Sequence, residues 1–94
     1  MNQKFHLGQV VVTRGVSNFA SIGGHIYHPD IGVALMRHAS GDWGEVCDED
    51  KQANEQALIN GDRLLSAYDV MGKRIWIITE YDRSLTTILF PDEY

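Results

Sequence analysis

Between Arg37 and Val46 the chain reads Arg-His-Ala-Ser-Gly-Asp-Trp-Gly-Glu-Val, setting a histidine, a tryptophan and two carboxylates between glycines. Glycines at that spacing break any regular element, so the segment is expected to be a loop that presents side chains. His38 can serve as a general base or a nucleic-acid contact, because imidazole titrates near neutrality. It also stands at the end of an apolar stripe, where a histidine fills a core. Asp42 and Glu45, three apart, suit an acid/base or metal pair, or else Asp42 caps a turn beside its glycine. Trp43 is either an exposed anchor for a partner or a plug in a small core.

Further groups extend this set. Ser66, Thr79, Thr86 and Thr87 offer hydroxyls along strands, and with His38 and Arg83 they match the needs of a small ribonuclease. Threonine in a strand is also an ordinary β former. His25-Ile26-Tyr27-His28 has an H-x-x-H spacing with Cys47 as a conceivable third ligand, but a structural zinc normally closes four ligands drawn from recurrent pairs. Asp42, Glu45, Asp48, Glu49 and Asp50 crowd carboxylates at a helix start, where acids favour the dipole. No Gly-rich phosphate loop, G-x-S-x-G elbow, Walker lysine or paired C-x-x-C is present, so no cofactor is expected.

The elements that must hold these groups describe an α+β domain. Val10, Val11 and Val12 make a β-branched strand that Gly15 ends. Val16, Phe19, Ala20 and Ile22 predict a short helix stopped by Gly23-Gly24, with His25 to Pro29 as loop. Asp30 is read as the cap of a second helix whose buried face is Ile31, Ala34, Leu35 and His38, ending at Gly41. Asp48 is read as the cap of a third, with a stripe of Ala53, Ala57 and Leu58 and an exit at Asn60-Gly61. From Arg63 the period changes to two: Leu64 to Val70, a turn at Met71-Gly72, Lys73 to Glu80, a turn at Asp82-Arg83-Ser84, and Leu85 to Phe90 closed by Pro91. Ile75 and Ile77 point one way and Trp76 and Ile78 the other, which marks a central strand. The expected architecture is a three-stranded antiparallel meander joined by the valine strand, with two or three short helices on the sheet.

Ninety-four residues, 44% hydrophobic and 22% charged, make a single folded domain spanning 1–94. Eight basic residues against thirteen acidic give a net charge of −5. Duplex DNA binding is therefore not expected, and mimicry of a DNA surface at about one charge per 1.7 Å is out of reach except over the 42–50 cluster. Cys47 stands alone, no apolar run spans a membrane, and a cytoplasmic location is expected.

Together with Arg63-Leu64-Leu65-Ser66-Ala67-Tyr68, Trp76-Ile77-Ile78-Thr79-Glu80 and Thr86 to Tyr94, the Arg37–Val46 stretch resembles a family of small bacterial proteins of plasmids and other mobile DNA. Such proteins are often labelled "plasmid-related" or "type I restriction endonuclease subunit M", although a restriction subunit needs several times this length. The resemblance runs from about Phe5 to Tyr94 and implies no assigned activity. It favours a non-enzymatic module that binds a protein, of the anti-CRISPR or anti-restriction type, with His38, Asp42, Trp43, Glu45, Tyr68 and Arg83 as candidate contacts. The alternative is the ribonuclease-like enzyme using His38, Arg83 and a sheet hydroxyl. Because the strand around Trp76 is apolar on both sides while the helices offer narrow stripes, one sheet face is expected to meet a second copy, as a homodimer, or a partner protein.

Overall fold

A computed structural model describes residues 3–23 and 26–94. Among the described residues the chain is α+β, with one mixed sheet, one small two-stranded antiparallel sheet and three helices. Strand β1 (Gln9–Val12) leads into α1 (Arg14–Ala20), then the antiparallel pair β2 (Ser21–Gly23) and β3 (Ile26–Tyr27). Helices α2 (Pro29–Ala39) and α3 (Asp48–Asn60) follow, and the meander β4 (Leu64–Val70), β5 (Lys73–Thr79) and β6 (Leu85–Leu89) completes the fold before a 3-10 turn, Pro91–Glu93. The order in the main sheet is β1-β6-β5-β4. The meander is antiparallel and β1 joins it parallel to β6, with Val10 opposite Thr86 and Val12 opposite Ile88. Among the described residues no helix is long and apolar enough to cross a membrane.

Local chemistry explains the boundaries, including those that differ from the sequence reading. Thr13 caps α1 by accepting the Val16 N–H. This helix buries Val16 and Ala20 and ends there, not at Ile22, which is exposed on β2. Strands β2 and β3 occupy ground expected to be helix end and loop, too short to show a period. At α2 the cap is His28, whose Nδ1 accepts the Asp30 N–H, because Pro29 fits the first helical position. Cys47, and not Asp48, holds the capping position of α3, leaving Asp48, Glu49 and Asp50 in the first turn, where their negative charge complements the positive end of the helix dipole. Helix α3 buries Asn54 and Ala57, while Ala53 of the expected stripe is exposed.

The period-two pattern divides the sheet into unequal faces. Leu64, Ser66, Tyr68, Val70, Ile75, Ile77, Thr79, Thr86 and Ile88 share one face through their register. Val16 and Ala20 of α1 and Ile31 and Ala34 of α2 join Tyr68, Val70, Ile75, Ile77 and Ile88 in the main core. Trp43, Ala57 and Leu64, flanked by Phe5, Val46 and Leu58, form a second cluster toward α3. The opposite face carries Val11, Leu65, Ala67, Trp76, Ile78, Thr87 and Leu89, and none of these enters either cluster. Among the described residues it is the C-terminal turn that reaches this face, with Tyr94 edge-on to Trp76 at 5.8 Å.

Candidate functional site

His38 lies at the meeting point of α2 and the sheet with no exposed surface, and both ring nitrogens are satisfied. Its Nδ1 lies 2.6 Å from Ser66 Oγ and its Nε2 lies 2.8 Å from Thr79 Oγ1. Thr79 Oγ1 is in turn 2.8 Å from Thr86 Oγ1, and the Thr86 hydroxyl donates to the Leu7 carbonyl at 2.6 Å. Each hydroxyl has one hydrogen to give, so the chain of donors runs one way. Thr86 has committed its hydrogen to Leu7 and accepts from Thr79. Thr79 therefore accepts from His38 Nε2–H. Nδ1 is left bare and accepts the Ser66 hydroxyl. The neutral Nε2–H tautomer completes the network, and burial, with a smaller contribution from the positive Arg83, lowers the imidazole pKa to about 4.

This geometry places a serine hydroxyl on a histidine base, the first two parts of a nucleophilic dyad. Ser66, Thr79 and Thr86 are as fully buried as His38. An attacking group needs space for its electrophile, and none of these atoms meets solvent. The arrangement is a closed polar ladder that joins α2, β4, β5, β6 and the N-terminal segment through the core. Buried ladders of this kind are stabilising only when every member is satisfied, and among the described residues no buried side-chain polar atom lacks a partner.

The Gly-Asp-Trp-Gly loop is built as a hem. Gly44 pairs with Ala67 as an isolated bridge on the outer edge of β4. Ala67 N–H donates to the Trp43 carbonyl at 3.2 Å, and the Ala67 carbonyl accepts the Glu45 N–H at 2.7 Å. Gly44 has φ +73, and a Cβ there would come within 2.0 Å of the Ala67 oxygen, so this close approach requires glycine. One position along, Asn54 of α3 copies a strand with its side chain: its amide donates to the Leu65 carbonyl at 2.7 Å and its Oδ1 accepts the Leu65 N–H at 3.1 Å. The edge of β4 is thus closed at both Leu65 and Ala67.

Of the candidate contacts, Asp42, Trp43, Glu45 and Tyr68 come together at this hem, whereas His38 belongs to the buried ladder and Arg83 sits on a separate turn. Trp43 is buried, stacked on Phe5 and edge-on to His38, and its Nε1–H donates to Glu55 at 2.6 Å. Asp42 forms a two-pronged pair with Arg37 and accepts the Gly44 N–H, and these bonds hold its carboxyl below the usual range. Tyr68 is buried under the Arg37 guanidinium and donates to the Asp42 carbonyl; burial pushes its phenol up to about 12. Arg83 donates to the carbonyls of Ala57 and Asp62, supplying from a distant turn the cation that the last turn of α3 lacks. Glu45 stays exposed and is not paired with Asp42 as an acid/base couple. Among the described residues no three His, Cys, Asp or Glu side chains converge as a metal site requires. His28 serves as a helix cap, Cys47 is exposed, and His25 lies outside the described residues.

Sequence reasoning did not single out Asn54, Glu55 or the Leu7 carbonyl. A polar residue on the buried side of α3 was the available signal for Asn54. Compared with family models, curated proteins and solved structures, the chain matches none.

Proposed function

We propose that this chain is a non-enzymatic protein-binding module that meets its partner through the helix-free face of the sheet. The observation that carries this reading is the cluster of Trp76, Tyr94 and Arg63. Trp76 is half-buried, Tyr94 is largely exposed, and the Arg63 guanidinium lies 5.1 Å from the Tyr94 ring while also pairing with Glu80. Trp, Tyr and Arg are the residue types that dominate binding hot spots, because each combines large apolar area with a fixed polar edge. Beside Trp76 on this face Ala67 and Leu89 are buried, and half-buried Leu65, Thr87 and Val11 lie in the next row around buried Ile78. The resemblance to proteins of mobile DNA supports a host defence nuclease as the partner, with inhibition or adjustment as the outcome.

The ribonuclease alternative needs His38, a sheet hydroxyl and Arg83 at one accessible point. The first two are sealed in the core and the third holds helix carbonyls, which weighs against it. The test is to immobilise the wild-type chain and its Tyr94→Ala, Arg63→Ala and His38→Gln variants, and to assay capture and inhibition of purified host nucleases. Inhibition lost with Tyr94→Ala and Arg63→Ala but kept with His38→Gln is the expected result. RNA cleavage by the wild type, abolished by His38→Gln in a folded protein, would establish the alternative instead.

A further inference from the structure

The two edges of the main sheet are finished differently. The β4 edge is closed by the Trp43–Glu45 loop and by Asn54. The β1 edge lies at the other end of the sheet, and the register settles which way its main chain faces. Gln9 N–H donates to Ser84 and Thr13 N–H donates to Ile88, so the odd-numbered residues face β6. In a parallel ladder the intervening residues turn both main-chain groups the other way. Val10 and Val12 therefore present their N–H and C=O outward, and Val10 is 39% exposed. An edge strand of this kind is a template for another strand.

We propose that β1 pairs antiparallel with β1 of a second copy, about a two-fold axis at Val11. In this register Val10 of one protomer exchanges both main-chain hydrogen bonds with Val12 of the other, and Val12 does the same with Val10. The two Val11 side chains then face each other as a close non-hydrogen-bonded pair on the helix-free side. The pairing is isologous and closes with two copies, so it does not propagate into fibres.

Charge selects a second copy as the occupant. The protein carries a net −5, which opposes self-association wherever carboxylates gather. Glu45, Asp48, Glu49 and Asp50 lie at the loop and the start of α3, beside β4. In the order β1-β6-β5-β4 that is three strand spacings from β1, or about 14 Å. The stretch Leu7 to Thr13 carries no charge at all. Beside it stand Arg14, next in sequence, and Glu93, which accepts from the Thr13 hydroxyl, and these two are of opposite sign. Among the described residues, the edge left open is thus the one away from the carboxylates that would set two copies against each other. Gly8 lets the chain enter this strand: at φ +64 its backbone passes so close to Ser84 that a Cβ would come within 2.3 Å. The pairing would double the sheet and make one continuous helix-free face, but it stands whether or not that face binds a nuclease.

Light scattering on the full chain from about 10 µM to about 1 mM is the test, with amide hydrogen exchange at both ends of the range. The expected result is a monomer–dimer equilibrium, with Val10 and Val12 amides protected at high concentration and exchanging freely at low. Val10→Pro removes only an outward N–H, so it is expected to keep the monomer's amide dispersion while shifting the equilibrium at least tenfold toward monomer. A monomer mass throughout overturns the proposal. So does a dimer that Val10→Pro leaves unchanged, or Val10 protection that does not depend on concentration. A wild type that stays monomeric yet captures its nuclease would refute self-pairing and leave the proposed function standing; a dimer that inhibits no nuclease would do the reverse.

Discussion

Ser66 donates its hydroxyl hydrogen to Nδ1 of His38 across 2.6 Å, and neither residue has any exposed surface. The pair has the parts of a catalytic dyad and the position of a core contact. Position decides its role, because the same bond that would activate a nucleophile in a cleft here ties β4 to α2. The sealed imidazole must stay neutral for the ladder to hold, and this has a consequence for stability.

Acidification is expected to destabilise the protein through His38. Its pKa falls from 6.5 when unfolded to about 4 when folded, so the unfolded state binds the extra proton as pH drops. Stability from this group is complete above pH 6.5 and is lost as pH falls toward 4, an effect of about 3 kcal/mol at 1.36 kcal/mol per unit. That is a large share of the 5–15 kcal/mol typical of a domain. Urea midpoints measured from pH 7 to pH 4 should fall accordingly, and His38→Gln, if it folds, should lose stability at pH 7 while flattening most of that slope. An unchanged slope in the variant would remove His38 as the cause.

Two glycine substitutions should move stability in opposite directions. Gly44→Ala forces a methyl into the Ala67 oxygen at a positive φ and is expected to cost at least about 2 kcal/mol. Gly32→Ala, in helix α2 with nothing within 4 Å of the added Cβ, is expected to stabilise by about 0.5–1 kcal/mol. Thermal melts of the two variants read both signs at once. A neutral Gly44→Ala would mean that the loop does not grip β4.

Much of the fold was legible from residue order. Alternation from Leu64 to Ile78 located the hairpin and its central strand, since the period is short and both faces are apolar. Ile31, Ala34 and His38 located the buried side of α2, and the same stripe made a core histidine one of the two readings of His38. Hidden from local reading were the contacts that cross the chain. Arg83 reaches Ala57 across 26 residues, Thr86 reaches Leu7 across 79, and Asn54 imitates a backbone. These leave no period in the sequence. Asp42 and Trp43 looked like presented groups because glycines flank them, but Gly44 is there to admit the β4 backbone.

Asn54→Leu is expected to cost about 2 kcal/mol, because it removes the side-chain partners of both main-chain groups of Leu65 at the sheet edge. It should also raise aggregation on storage at high concentration, since a reopened edge recruits strands. Denaturant unfolding with turbidity as the second readout checks both. A variant as stable and as soluble as the wild type would show that the α3 side chain is not what closes β4.

The most direct measurement of the central claim, that the histidine of the motif is a sealed element of the core and the work of binding lies elsewhere, is a nitrogen-15 NMR titration of the His38 ring. The expected result is a neutral Nε2–H tautomer at pH 7, an Nε2 proton slow to exchange with water, and no protonation until the pH approaches 4 or the protein unfolds. A ring that titrates near 6.5 in the folded protein, with a rapidly exchanging proton, would contradict it and return His38 to the candidates for chemistry.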